Sequence, residues 1–175
     1  MKIDECKKLA DRLKILAEMY DLGIGKGIDP QAEDFIPDAA YIVDALLPQR
    51  TVSHVIEQGE APSGIYPNML ERYALVTNGE FRPENIEVDS DDDWESAELA
   101  FDFLGKRHEF VVRDVDDSDY FSPAFVPALN RFAKKVDMSG RWVAFYNGDD
   151  ACSSIYVPVR AYINFRSLKV SYTKE

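Results

Sequence analysis

The sequence is short of the residues that build covalent or metal-centred chemistry. It has two cysteines, Cys6 and Cys152, and two histidines, His54 and His108, in 175 residues. The cysteines lie far apart with no Cys or His beside either, so neither a disulfide framework nor a zinc site follows from them. Buried or half-buried free thiols are the expectation, in keeping with the burial habit of unpaired cysteine. Nowhere does the chain approach the run of about eighteen apolar residues that reads as a membrane span. The opening stretch MKIDECKKLADRLK has charges every few residues and no apolar centre of the signal-peptide kind, so the expected location is the cytoplasm. Basic residues are scarce too: 20 Lys and Arg face 32 Asp and Glu, a net charge of −12. Such a surface repels phosphates and anionic headgroups, which argues against nucleic acid and membranes as partners and favours a basic protein.

What is present is enough for a folded domain. With 46% hydrophobic and 12% aromatic residues the chain can bury a core, which excludes an acidic disordered tail as a description of the whole. The charge is also concentrated. Between Glu84 and Tyr120, a stretch of 37 residues, fourteen acids stand against Lys106, Arg107 and Arg113, a net −11, while the rest of the chain carries −1. Nearly all of the imbalance therefore belongs to one segment.

Periodicity predicts an α+β arrangement in one domain, residues 1–175, with 1–82 mainly helical and 83–175 built of a small antiparallel sheet and a packed helix. Ile3, Cys6, Leu9, Leu13, Leu16 and Tyr20 recur every three or four residues, the stripe of an amphipathic helix, which Gly23, Gly25 and Gly27 then stop. Asp29-Pro30 reads as a cap and first-turn pair for a second helix whose apolar face runs from Phe35 to Leu47. Val52, Val55 and Ile56 suggest a short helix, Gly59 to Gly64 a loop, and Pro67 the first turn of a helix through Tyr73 and Ala74. Ile86 and Val88 alternate with acids. Leu99, Phe101 and Phe103, then Phe110 to Val112, flank Gly105 as the strands of a hairpin. Ser122-Pro123 reads as the start of a helix carrying Phe125, Leu129 and Phe132, followed by a second hairpin, Trp142 to Val157, around Asn147-Gly148. Beyond Pro158 two readings stay open, a helix over Val159–Phe165 or a strand through Leu168, Val170 and Tyr172.

Motifs that invite chemistry fail on spacing. A calcium loop starting at Asp114 places Asp119 where glycine is needed and Phe125 where a bidentate Glu is needed; one starting at Asp89 places Trp94 and Ala100 there. Gly148-Asp149-Asp150 resembles the acidic hairpin of polymerases, yet Asn147-Gly148 is explained by the positive φ of a tight turn. The glycines at 23, 25 and 27 lack the spacing and preceding strand of a phosphate loop. His108 beside Glu109 reads as a solvated surface residue, and His54 adds nothing specific. No cofactor, metal or nucleophile motif is present. A small hydrolase with an acidic cleft, or a non-enzymatic adaptor, stays as the alternative to a binding protein.

The aromatics Trp94, Tyr120 and Phe121 adjoin the acid runs, an arrangement suited to a protein interface in which rings anchor while acids steer a cationic partner. The stretch ELAFDFLGKRHEFVVRDVDDSDYFSPAFVPALNRFAKKVDMSGRWVAFYNGDDACSSIYVP, with its order of strand, strand, acidic loop, "LNRF" helix and "RWVAFYNGDD" hairpin, resembles small bacterial immunity proteins of polymorphic toxin systems, including contact-dependent growth inhibition. The resemblance covers roughly residues 66–158. It implies a non-enzymatic protein that binds a cognate basic toxin domain, often a nuclease. The residues expected to meet that toxin are Asp91, Asp92, Asp93, Trp94, Asp116, Asp117, Asp119, Tyr120 and Phe121.

Overall fold

In the computed structural model, residues 1–29, 31–32, 35–55, 61–91, 93–113, 122–146 and 151–172 are described. The fold is α+β. Helices and strands follow in the order α1 (Ile3–Tyr20), α2 (Ala39–Leu46), β1 (Thr51–Val55), α3 (Pro62–Leu75), β2 (Glu84–Ser90), β3 (Ser96–Phe103), β4 (Lys106–Arg113), α4 (Phe125–Lys135), β5 (Gly140–Tyr146), β6 (Ala151–Pro158) and α5 (Val159–Tyr172). They form two compact units. One comprises Met1–Val55 with Ser139–Glu175, the other Ile56–Met138. Helix α3 lies in the same unit as the sheet that follows it.

The first unit places α2 and α5 on the sheet β1-β6-β5 and packs α1 against those two helices. Its core joins Cys6, Leu9 and Leu13 of α1, Ile42, Val43 and Leu46 of α2, Val143, Phe145, Ile155 and Val157 of the sheet, and Phe165 and Leu168 of α5. The predicted α1 forms as expected: the Glu5 carboxylate accepts the Lys2 amide at 2.8 Å, and Asp21 ends the helix in the left-handed region at φ 55°. The second helix starts at Ala39 rather than Phe35, because the Asp38 carboxylate caps it by accepting the Tyr41 amide at 2.7 Å. The expected role of Pro30 lies outside the described residues.

Two expectations in this unit are corrected. Residues 51–55 form strand β1, not a helix, because β6 supplies an antiparallel partner from Thr51↔Ile155 to Val55↔Ala151. After Pro158 the chain is helical to Tyr172, the buried Ala161, Phe165 and Leu168 recurring at helical spacing, so the strand alternative falls. The β5–β6 hairpin pairs as predicted, Gly140↔Pro158 through Tyr146↔Cys152; its turn, with Gly148-Asp149-Asp150, lies outside the described residues.

The second unit packs α3 and α4 on the sheet β2-β3-β4. Helix α3 begins at Pro62, earlier than expected, and takes Pro67 into its interior. Leu104-Gly105 closes the β3–β4 hairpin with φ 51° and 70°, the two consecutive positive angles of a tight two-residue turn. Ser122 is not the cap of α4 but stands two residues before it, the cap being Ala124: its hydroxyl donates to the Arg113 carbonyl at 2.7 Å and accepts the Ala124 amide at 3.1 Å. The core here is aromatic. Phe132 of α4 meets the rings of Phe101 and Phe103 at centroid distances of 5.0 and 5.8 Å, and Phe81 at 5.5 Å.

Candidate functional site

Strand alternation divides the residues of β2, β3 and β4 between two faces. Ala97, Leu99, Phe101 and Phe103 of β3 are buried against the helices, so their neighbours Glu98, Ala100 and Asp102 point to the other side. The register carries that division across the sheet. Glu84 lies opposite Asp102 and Asp102 opposite Arg107; Glu87 lies opposite Ala100 and Ala100 opposite Glu109; Asp89 lies opposite Glu98 and Glu98 opposite Val111. One open face therefore holds six acids, Glu84, Glu87, Asp89, Glu98, Asp102 and Glu109.

The electrostatics of this face are unbalanced. Arg107 donates to the Glu87 carboxylate and to the Asn85 carbonyl at 2.7 Å, and it stands 3.6 Å from Asp102, which also accepts from Asn85 at 2.7 Å. Among the described residues no cation lies within salt-bridge distance of Glu84, Asp89, Glu98 or Glu109. Asp89 and Glu98 are directly opposed, an arrangement that costs stability in a β-sheet. Ala100 and the 40% exposed Val111 give the middle of the face an apolar floor. At the Glu84–Asp102 end it opens into a cleft of about 490 Å³, lined among others by Glu80, Arg82 and the 77% exposed Leu104.

The sequence-predicted site residues fall partly here. Asp91 directly follows β2, exposed, and its carboxylate accepts the Ser96 amide at 3.2 Å and the Ser96 hydroxyl at 3.0 Å, so it closes the β2–β3 connection. Asp93 and Trp94 are exposed in that connection, Trp94 at φ 58°. Asp92, Asp116, Asp117, Asp119, Tyr120 and Phe121 lie outside the described residues. Glu87, Asp89, Glu98 and Glu109 were not singled out. Their signal was the same alternation that announced the hairpin: Glu87 and Asp89 of β2, and Glu98 and Asp102 of β3, stand at even spacings, and Glu98, Asp102 and Glu109 fall out of phase with the phenylalanines.

The histidines sit differently from their expected places. His108 is half-buried on the inner face, its Nε2 3.2 Å from the Phe103 carbonyl and its ring 5.2 Å from that of Phe132, so it belongs to the aromatic cluster rather than to the solvated surface. His54 stands in β1 directly opposite Cys152, and each is 4% exposed. The neighbouring pair Ser53 and Ser153 meet through their hydroxyls at 2.6 Å. Alternation sends Ser53 and His54 to opposite faces of the sheet, which separates hydroxyl from imidazole. Burial pushes the Cys6 thiol above its ordinary pKa, keeping it protonated and unreactive. Among the described residues no three His, Cys, Asp or Glu side chains gather to hold a metal ion. No helix of the described residues is long and apolar enough to cross a membrane.

Comparison with known sequence families, with characterised proteins and with solved structures finds no match to this chain.

Proposed function

We propose that the chain is a non-enzymatic immunity protein that binds a cognate basic toxin domain through the open face of β2-β3-β4 and the acidic connections adjoining it. The observation that carries this reading is a row of six carboxylates that Arg107 balances only at Glu87 and Asp102, with Asp89 set directly against Glu98. A folded domain that keeps like charges opposed forgoes stability that a single Lys would restore, and a cationic partner gives that arrangement a use. The acids steer association, and Val111 with Ala100 and Trp94 supplies the contact that water leaves.

Area sets the extent of the interface. Three strands spaced about 4.8 Å apart and about seven residues long present roughly 350 Å² on one face. A stable complex covers about 800 Å² per partner. The sheet face alone is too small, so the reading enlists the flanking segments: Asp91 to Trp94 before β3, and residues 114–121 directly after β4, which carry Asp116, Asp117, Asp119, Tyr120 and Phe121.

The test pairs the chain with the product of the gene beside its own. Co-expression should rescue growth from that product, and the two should co-purify. The variant E87K/D89K/E98K/E109K should keep its fold, lose protection, and associate at a rate no longer sensitive to salt. Full protection by this variant, or an unchanged association rate, refutes the acidic face as the interface.

A further inference from the structure

The glycine-rich run after α1 has a partner that sequence spacing does not reveal. Folding brings it against the turn that follows α2, and between them lies a cavity of about 180 Å³. Leu22, Ile24, Leu47 and Pro48 give it apolar walls, and no acid lines it. In a chain where acids outnumber bases 32 to 20, that is a departure from the general surface. The charged residue of the cavity is Arg50, with Gln49 beside it.

Arg50 is held at three points. Its amide donates to the Leu47 carbonyl at 3.0 Å, its carbonyl accepts the Tyr156 amide at 2.9 Å, and its Nε donates to the Leu22 carbonyl at 2.9 Å. The guanidinium is thus oriented, half-buried, and left with its Nη hydrogens, while among the described residues no carboxylate lies within salt-bridge distance. Arginine does not shed its charge, and a cation partly withdrawn from water costs free energy until an anion meets it. Gly23 and Ile24, which also line the cavity, keep amide N–H groups that find no acceptor among the described residues. Gly25 makes the approach possible: a Cβ there would stand 2.5 Å from the Ala45 carbonyl oxygen.

We propose that this cavity binds a small aliphatic carboxylate, its oxygens on the Arg50 guanidinium and its short chain on Leu22, Ile24, Leu47 and Pro48. The size decides the class. A volume of about 180 Å³ lies below the range of about 300 Å³ upward typical of cofactor and drug-sized ligand sites. The planar fork of arginine matches a carboxylate or a phosphate, and the apolar walls favour the carboxylate.

Amide chemical shifts of the full chain, titrated at constant ionic strength with isobutyrate, acetate or inorganic phosphate, test the site. Isobutyrate should saturate shifts at residues 22–25, 47, 49 and 50, with acetate weaker. R50K keeps the charge but not the fork and should bind isobutyrate at least about tenfold more weakly. Q49E places a carboxylate beside Arg50 and should abolish binding with the melting temperature unchanged or raised, so loss of binding is separated from loss of fold. Phosphate binding as tight as isobutyrate overturns the carboxylate assignment. Shifts that do not saturate with any probe, or undiminished binding by R50K and Q49E, overturn the site.

Discussion

Reversing the charge of Glu98 should make this protein more stable. Glu98 and Asp89 are exposed and directly opposite across β2 and β3. Two unit charges about 6 Å apart in water interact by about 0.7 kcal/mol before screening. Cross-strand pairs of this kind measure roughly 0.2–1 kcal/mol. E98K turns the repulsion into an attraction of similar size, so the change is about 1 kcal/mol in favour of the fold, or roughly 2–4 °C in melting temperature for a chain of this length. Salt fixes the cause. The Debye length shrinks from about 30 Å at 0.01 M to about 3 Å at 1 M, so the gain should be clear in dilute buffer and largely gone in concentrated salt. Thermal unfolding of the wild type, E98Q, E98K and D89K/E98K at both salt concentrations reads this out. E98Q should give part of the gain, and the double variant, with two lysines opposed, should lose it. A gain in E98K that survives concentrated salt, or no gain in dilute buffer, refutes the repulsion on which the reading of this face depends.

Two further outcomes follow from the second unit. Burial pushes the Tyr66 phenol up to about 12 from its ordinary value near 10, against the opposing effect of its hydrogen bond to the Ser122 backbone. The folded protein therefore keeps a proton that the unfolded chain releases, so this stabilisation is complete below about pH 10 and lost as pH climbs through about 12, about 2–3 kcal/mol in all. Urea midpoints of the wild type should fall more steeply over that window than those of Y66F, and parallel curves would contradict the burial argument. Phe132, at the centre of the rings of Phe81, Phe101, Phe103 and His108, should cost about 3–5 kcal/mol on truncation to alanine, measured by urea unfolding. A loss under about 1 kcal/mol would mean that neighbouring rings refill the space.

Legibility followed the range of the interaction that fixes each element. Helix α1 and the two hairpins were readable because their periodicity, capping residues and turns lie within a few residues of one another, as with Leu104-Gly105 between the alternating runs of β3 and β4. Val52 and Val55 of β1 sit at a spacing that suits a helix, and the partner that makes them a strand is about a hundred positions away. His108 reads as a surface residue because Glu109 adjoins it, whereas its burial depends on Phe132 arriving from α4. The acidic character of residues 84–120 was visible as a count. That count drew the expected site toward the loops, whereas register placed Glu87, Asp89, Glu98 and Glu109 together on the open sheet.

By itself the sequence determined that this is an α+β chain with an amphipathic first helix, two hairpins and a strongly acidic central segment, because each of these depends on local steric preference, apolar period and charge. Tertiary structure alone decided which acids share a face, that β1 completes a sheet with β6, and that Arg50 lies beside the glycine run after α1. The reason is physical. A strand's hydrogen bonds and a charge's neighbours are supplied by segments remote in sequence, and no local preference specifies which remote segment will supply them.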